Sequence, residues 1–158
     1  MSTKAIQSLR GERIEHRVYS YDTRLDQTSG LTYGEAVAAE LDIEPHRVFK
    51  TLVIMCDERP TVAIVPVGSL VDLKAVATAT GAKKATMADP GDAERLTGYV
   101  VGGISPFGQR RTLPTLVDES VRSLESVFVS AGKRGLQVEL SPTDLLAMTD
   151  ASTAPIAT

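Results

Sequence analysis

A chain of 158 residues, 42% hydrophobic and 23% charged, has the size and balance of one globular domain that buries its own core. Lys plus Arg number 17 against 20 Asp plus Glu, a formal charge of −3 that argues against a generic phosphate-coating binder while leaving room for one local basic patch. The single cysteine, Cys56, excludes an intramolecular disulfide framework and a Cys-x-x-Cys metal site. No apolar run nears the ~18 residues that span a bilayer, and the N-terminus lacks a signal-peptide core. A cytoplasmic protein without membrane association is the expectation.

Residues 3–11 predict an amphipathic helix with Ala5, Ile6 and Leu9 on one side. Residues 14–21 alternate apolar and polar side chains as a half-buried strand does. Thr32 and Glu35 have the spacing of a capping box and open a helix that runs to Glu40. Residues 48–57 are rich in β-formers, 58–60 turn, and 61–67 return as the second arm of a hairpin. A helix over 72–80 stops at Gly81, and Asp89-Pro90 heads another that ends near Gly98. Strands follow at 115–117, 127–129 and 136–140, and Ser141 begins a last helix. The stretch 149–158 is small and polar, so the domain is set at 1–150 and 151–158 read as a flexible tail. Strands and short helices interleave without a regular βαβ period. The expected class is α/β, with a mixed, barrel-like sheet surrounded by short helices.

Most catalytic kits are missing from the sequence. Its two histidines, His16 and His46, fall in a strand pattern and a turn. Cys56 shares its strand face with Leu52 and Ile54 and reads as a small buried hydrophobe rather than a nucleophile. No ligand cluster suggests a metal, and no phosphate loop or dinucleotide fingerprint suggests a cofactor. Lys50 stands out, followed by a strongly apolar stretch. It either snorkels from a strand end or aims a compact positive donor into a pocket. Glycines at 98, 102, 103 and 108 either shape a turn or let backbone amides approach a ligand. Ser130 to Gly135 repeats that theme with two cations, Lys133 and Arg134. With Lys83-Lys84 and Arg110-Arg111 this makes three basic pairs, each a solvated surface or part of an RNA-facing side.

Three segments taken together carry a resemblance. Arg47-Val48-Phe49-Lys50-Thr51-Leu52, Thr97-Gly98-Tyr99 leading to Gly102-Gly103-Ile104-Ser105-Pro106, and Ser130-Ala131-Gly132-Lys133-Arg134-Gly135 resemble the YbaK family in order and spacing. The likeness extends over residues 5–147. It implies a free-standing relative of the editing domain inserted in bacterial prolyl-tRNA synthetases. Such a protein acts without metal or cofactor on the acceptor end of charged tRNA, with prolyl-tRNA synthetase as a second partner. The implied reaction is hydrolysis of mischarged Cys-tRNA(Pro), assisted by the thiol of the substrate. The same resemblance implies catalytic roles for Lys50 and for the backbone of Gly102. It places Tyr21, Tyr33, Thr51, Thr97, Gly103 and Ser130 in the substrate pocket, with Tyr33 standing where the family carries phenylalanine. Two other readings remain open at this point. One is a deacylase for alanyl- or seryl/threonyl-charged tRNA on the same fold; the other is a non-catalytic tRNA- or synthetase-binding module.

Overall fold

The computed structural model describes residues 2–22 and 32–158. Helix α1 (Lys4–Gly11) is capped by Thr3, whose hydroxyl accepts from the Ile6 amide, and it buries Ala5, Ile6 and Leu9. Strand β1 (Arg17–Ser20) follows. Helix α2 (Tyr33–Glu40) opens on the capping box read from the sequence: the Thr32 hydroxyl accepts from the Glu35 amide, and the Glu35 carboxylate accepts from the Thr32 amide.

Strands β2 (Phe49–Cys56) and β3 (Arg59–Pro66) pair antiparallel along their whole length, from Phe49↔Pro66 to Cys56↔Arg59. The turn is therefore Asp57-Glu58, tighter than the predicted 58–60. Asp57 sits at φ 56, and its carboxylate accepts from the Lys83 and Lys84 amides, which holds the left-handed turn residue in place. Helix α3 (Leu73–Thr80) ends on left-handed Gly81, and helix α4 (Pro90–Thr97) ends on left-handed Gly98. Between them lies β4 (Ala85–Met87), a strand the sequence pattern does not announce. Strands β5 (Thr115–Asp118), β6 (Val127–Ser130) and β7 (Leu136–Leu140) precede helix α5 (Pro142–Thr149).

The last stretch overturns an expectation. Residues 152–154 are not tail but a strand, β8 (Ser152–Ala154), paired in parallel with β5. Ile156 is 0% exposed, and the Asp118 carboxylate accepts from the amides of Ile156 and Ala157. One buried isoleucine and one buried carboxylate outweigh the small, polar composition of the segment. Burial of a side chain such as Ile156 stabilises by about 1.5–3 kcal/mol.

The strands form two sheets, β1-β7-β6 and β4-β2-β3-β5-β8, joined by a bridge between Val48 and Phe128. The mixed α/β class stands, but the sheet is forked rather than closed. Just before β2, Val48 bridges to Phe128 of β6; at its end, Ile54–Cys56 pairs with β4, and the Ala88 amide donates to the Val53 carbonyl. Between these two partners the β2 edge faces a gap. Alternation sends Phe49 and Val53 with Val62, Ile64 and Val117 into one core, together with α1, α4 and the inner face of β6 and β7. The opposite face of β2 and β3 buries Ile54, Cys56, Ala63 and Val65 against Val76 and Ala77 of α3 and against Ile156. Helix α2 covers the mouth of the fork. It packs so closely that a Cβ on Gly34 would lie 2.5 Å from a Val67 methyl.

Candidate active site

The gap along the β2 edge is a cavity of about 390 Å³, a size typical of small-ligand sites. Six successive residues, Val48 to Val53, line one side, and Tyr33, Gly34 and Val37 of α2 line another. Gly102 and Ile104 enter from the glycine loop, and Ser130 and Gln137 from the second sheet.

Lys50 belongs to this wall and is half-buried. Burial pulls its ammonium below the usual lysine range, and the Glu35 carboxylate partly offsets that by favouring the charged form. Glu35 in turn is held below the usual carboxylate range by its hydrogen bonds with Thr32, with a smaller contribution from Lys50. The capping box thus fixes an acid that serves two cationic ends, the N-terminus of a helix and a pocket lysine. A lysine short of water is a strong electrostatic donor for an oxygen that gains charge.

At the mouth, two chain segments converge on Arg134, the start of α2 and the glycine loop. Its guanidinium lies 4.2 Å from the Tyr33 ring centroid, a cation–π contact. The Tyr33 hydroxyl bonds to that of Tyr21 at 2.9 Å, and burial followed by this bond pushes its pKa up to about 12. Gly102 has φ +93, and a Cβ there would lie 2.9 Å from Arg134 Nη1. At Gly103 a Cβ would sit 2.8 Å from the Arg134 backbone nitrogen. Close approach of the 133–134 backbone therefore requires glycine at 103, whereas at 102 the positive φ is what favours it, the neighbouring guanidinium being free to shift.

The structure gathers Lys50, Thr51, Tyr33, Gly102 and Ser130 around the cavity. Tyr21 adjoins it through its bond to Tyr33, and Gly103 stands behind Gly102 against the 133–134 backbone. Thr97 is set apart. It is 1% exposed and lies outside the lining; its hydroxyl donates to the Ala93 carbonyl and accepts from the Tyr99 amide, which ends α4. Cys56 is buried in the far core. His16 bonds the Ile14 carbonyl, and exposed His46 sits beside Glu44; neither lines the cavity. The three basic pairs have different neighbours. Lys133-Arg134 borders the mouth, Arg110-Arg111 lies along the end of α4, and Lys83-Lys84 holds the Asp57 turn at the opposite end of β2.

Gln137 is a lining residue that the sequence does not signal. In Leu136-Gln137-Val138-Glu139-Leu140 it occupies a polar position of an alternating strand, where solvent is the ordinary expectation. Here that face of β7 points under the fork, and Gln137 is 7% exposed. Among the described residues, two buried side-chain polar atoms have no hydrogen-bond partner: Thr51 Oγ1 and Gln137 Oε1. Both residues line the cavity.

Among the described residues, the cavity lining holds one lysine and glycine-loop backbone and includes no histidine or cysteine. Residues 29–148 match the model of the aminoacyl-tRNA editing domain, and the chain belongs to that family. It is 38% identical over 157 residues, 99% of this chain and 93% of the relative, to EbsC of Enterococcus faecalis, a protein named as a proposed Cys-tRNA(Pro)/Cys-tRNA(Cys) deacylase. A proline–tRNA ligase of Streptococcus suis shares 27% identity over 101 residues, 64% of this chain but 16% of the ligase. Among solved structures, one described as a candidate trans-editing enzyme for prolyl-tRNA synthetase superposes with a TM-score of 0.84 at 23% identity. That match covers 100% of this chain and 99% of the other, and it establishes the shared fold. The enzyme class that family membership supports is aminoacyl-tRNA deacylase. Among the described residues no helix is long and apolar enough to cross a membrane.

Proposed function

We propose that this protein removes cysteine from mischarged tRNA(Pro) and that Lys50 and Gly102 act at the reacting ester. The observation that carries the reading is the half-buried Lys50, placed with Gly102 in a cavity whose lining includes no histidine or cysteine. An aminoacyl ester is already activated, so positioning and stabilisation of the carbonyl oxygen supply most of what its cleavage needs. Lys50 serves as the point charge for that oxygen, and the Gly102 backbone, at a positive φ that favours glycine, approaches it without a side chain. Thr51, Tyr33 and Ser130 shape the pocket, with Tyr21 and Gly103 supporting it from behind.

The nucleophile comes from the substrate. The cysteine thiol attacks its own ester carbonyl; the carbon–sulfur bond forms, the carbon–oxygen bond to the ribose breaks, and the thiol proton ends on the departing ribose oxygen. Water then opens the resulting cyclic thioester to free cysteine. Proline and alanine lack the thiol, so discrimination does not depend on pocket size, where a missing methylene is worth only about 1–3 kcal/mol. Prolyl-tRNA synthetase is the natural source of such a substrate, and similarity to proline–tRNA ligases supports that partnership. The test is release of cysteine, alanine and serine from charged tRNA(Pro), measured side by side. Fast release of cysteine alone is expected; equal release of alanine would favour an enzyme-bound water instead.

A further inference from the structure

Resting on that reading of the site, we infer that Gln137 is a specificity residue: its side-chain carbonyl oxygen receives the α-ammonium group of the aminoacyl ester, so the enzyme selects substrates with a free α-amine.

The inference begins with the two partnerless atoms. Buried polar groups in folded proteins nearly always have a hydrogen-bond partner, because leaving one unpaired forfeits its hydration without return. Thr51 and Gln137 are 8% and 7% exposed, and they reach the same cavity from different sheets, Thr51 from β2 and Gln137 from β7. Both atoms line one cavity, where the polar groups of a ligand can complete them.

The chemistry of the atoms narrows the ligand group. A carboxamide oxygen only accepts, so the group that meets Gln137 must donate. An aminoacyl ester offers an α-ammonium, a ribose hydroxyl and, in cysteine, a thiol. The ribose leads out to the rest of the tRNA and belongs at the mouth, near Gly102 and Arg134. The thiol must turn toward the ester carbonyl to react. The α-ammonium remains: it is one carbon from the ester, carries three donors, and enters a wall that already holds the cation of Lys50. Neutral acceptors are what such a group requires there. Thr51 Oγ1 can serve as the second, since it is the other partnerless acceptor of the lining, while Ser130, whose strand position pairs with Gln137, has its own oxygen committed to the Gly132 amide.

The experiment compares two thioester-forming substrates on tRNA(Pro), the cysteinyl ester and the 3-mercaptopropionyl ester. The latter keeps the thiol and lacks the amine. Rates are normalised to spontaneous hydrolysis, which removes the intrinsic activating effect of the ammonium. Wild-type enzyme should prefer the cysteinyl ester by about 10- to 100-fold in kcat/KM, the range expected for a hydrogen bond to a charged group. Gln137→Met, of similar shape and without the acceptor, should lose that preference by slowing on the cysteinyl ester alone, and its melting temperature should not fall. An equal loss on both esters would assign Gln137 a structural role and overturn the inference. Equal normalised rates for the two esters in active wild-type enzyme would overturn it without any variant. Wild-type protein that cleaves neither ester, while releasing another amino acid, would instead overturn the substrate reading of the preceding subsection.

Discussion

The two ends of β2 share a strand and have opposite fates. Around Lys50 the strand has β3 on one side and a cavity on the other; around Cys56 it is paired on both edges and buried in core. Both ends place side chains of the same face, since Lys50, Leu52, Ile54 and Cys56 alternate together. The difference is not in the strand but in what reaches its second edge. Where β4 arrives, a strand becomes scaffold; where β6 has left and β4 has not yet come, the same strand becomes a site. The lysine in the open half therefore lines a cavity, and the cysteine in the closed half packs in core.

The largest expected effect separates these ends. Lys50→Ala should lower kcat/KM by about 100- to 1000-fold with an unchanged melting temperature, whereas Ile54→Ala should cost about 2–5 kcal/mol of stability and leave the rate per folded molecule intact. Lys50→Arg should recover only part of the loss, because a planar fork does not replace a compact charge. Unfolding of Lys50→Ala, or full activity in it, would dissolve the distinction. Single-turnover deacylation beside thermal melts reads both.

Next comes the substrate itself. Seryl-tRNA(Pro) should react far more slowly than the nearly isosteric cysteinyl ester, because a thiol ionises near pH ~8.5 and an unassisted hydroxyl does not. Comparable rates would transfer the nucleophile to water. Gly102→Ala sharpens the comparison from the loop side. At φ +93 a Cβ costs about 1–2 kcal/mol of stability and pushes on Arg134, and the rate should drop by about tenfold or more beyond what unfolding explains.

A smaller effect concerns pH. Glu35 favours the charged form of Lys50, which burial has already pulled down, so Glu35→Gln removes the opposing influence and lowers the lysine further. The sign follows: the ammonium is lost as pH rises, so the alkaline limb of the rate profile should move to lower pH while activity near neutrality changes little. Glutamine still closes a capping box, which keeps α2 in place. An alkaline limb that stays where it was would detach Glu35 from Lys50. Smallest of all, Cys56→Ser should leave the rate untouched, because in the proposed mechanism the reacting sulfur belongs to the substrate and Cys56 is buried in the far core.

Much of this was legible beforehand because it is local. Capping at Thr32, the Asp89-Pro90 start, the Gly81 and Gly98 stops and the alternation in residues 48–67 each follow from a few adjacent residues. What escaped is decided by distant partners. Strand β4 is three residues with two exposed side chains, and only the vacant edge of Ile54–Cys56 makes it a strand. Strand β8 owes its place to Asp118 and to the slot that receives Ile156. Gln137 carries no signal because alternation says which face a residue takes, not what covers that face. Thr97 shows the converse: its place in a motif suggested a ligand contact, while its hydroxyl is spent on ending a helix.

The parallel pairing of β8 with β5 also has a bearing on how the chain is made. A parallel neighbour cannot be reached through a tight hairpin, and here the path from β5 to β8 runs through β6, β7 and α5. During synthesis, then, β5 carries a bare edge through every stage of elongation until residues 152–154 emerge. Such an edge is a template for pairing with another nascent chain. Residues 152–154 act as the clasp of that edge, and until they pair the five-stranded sheet stays open to a neighbour.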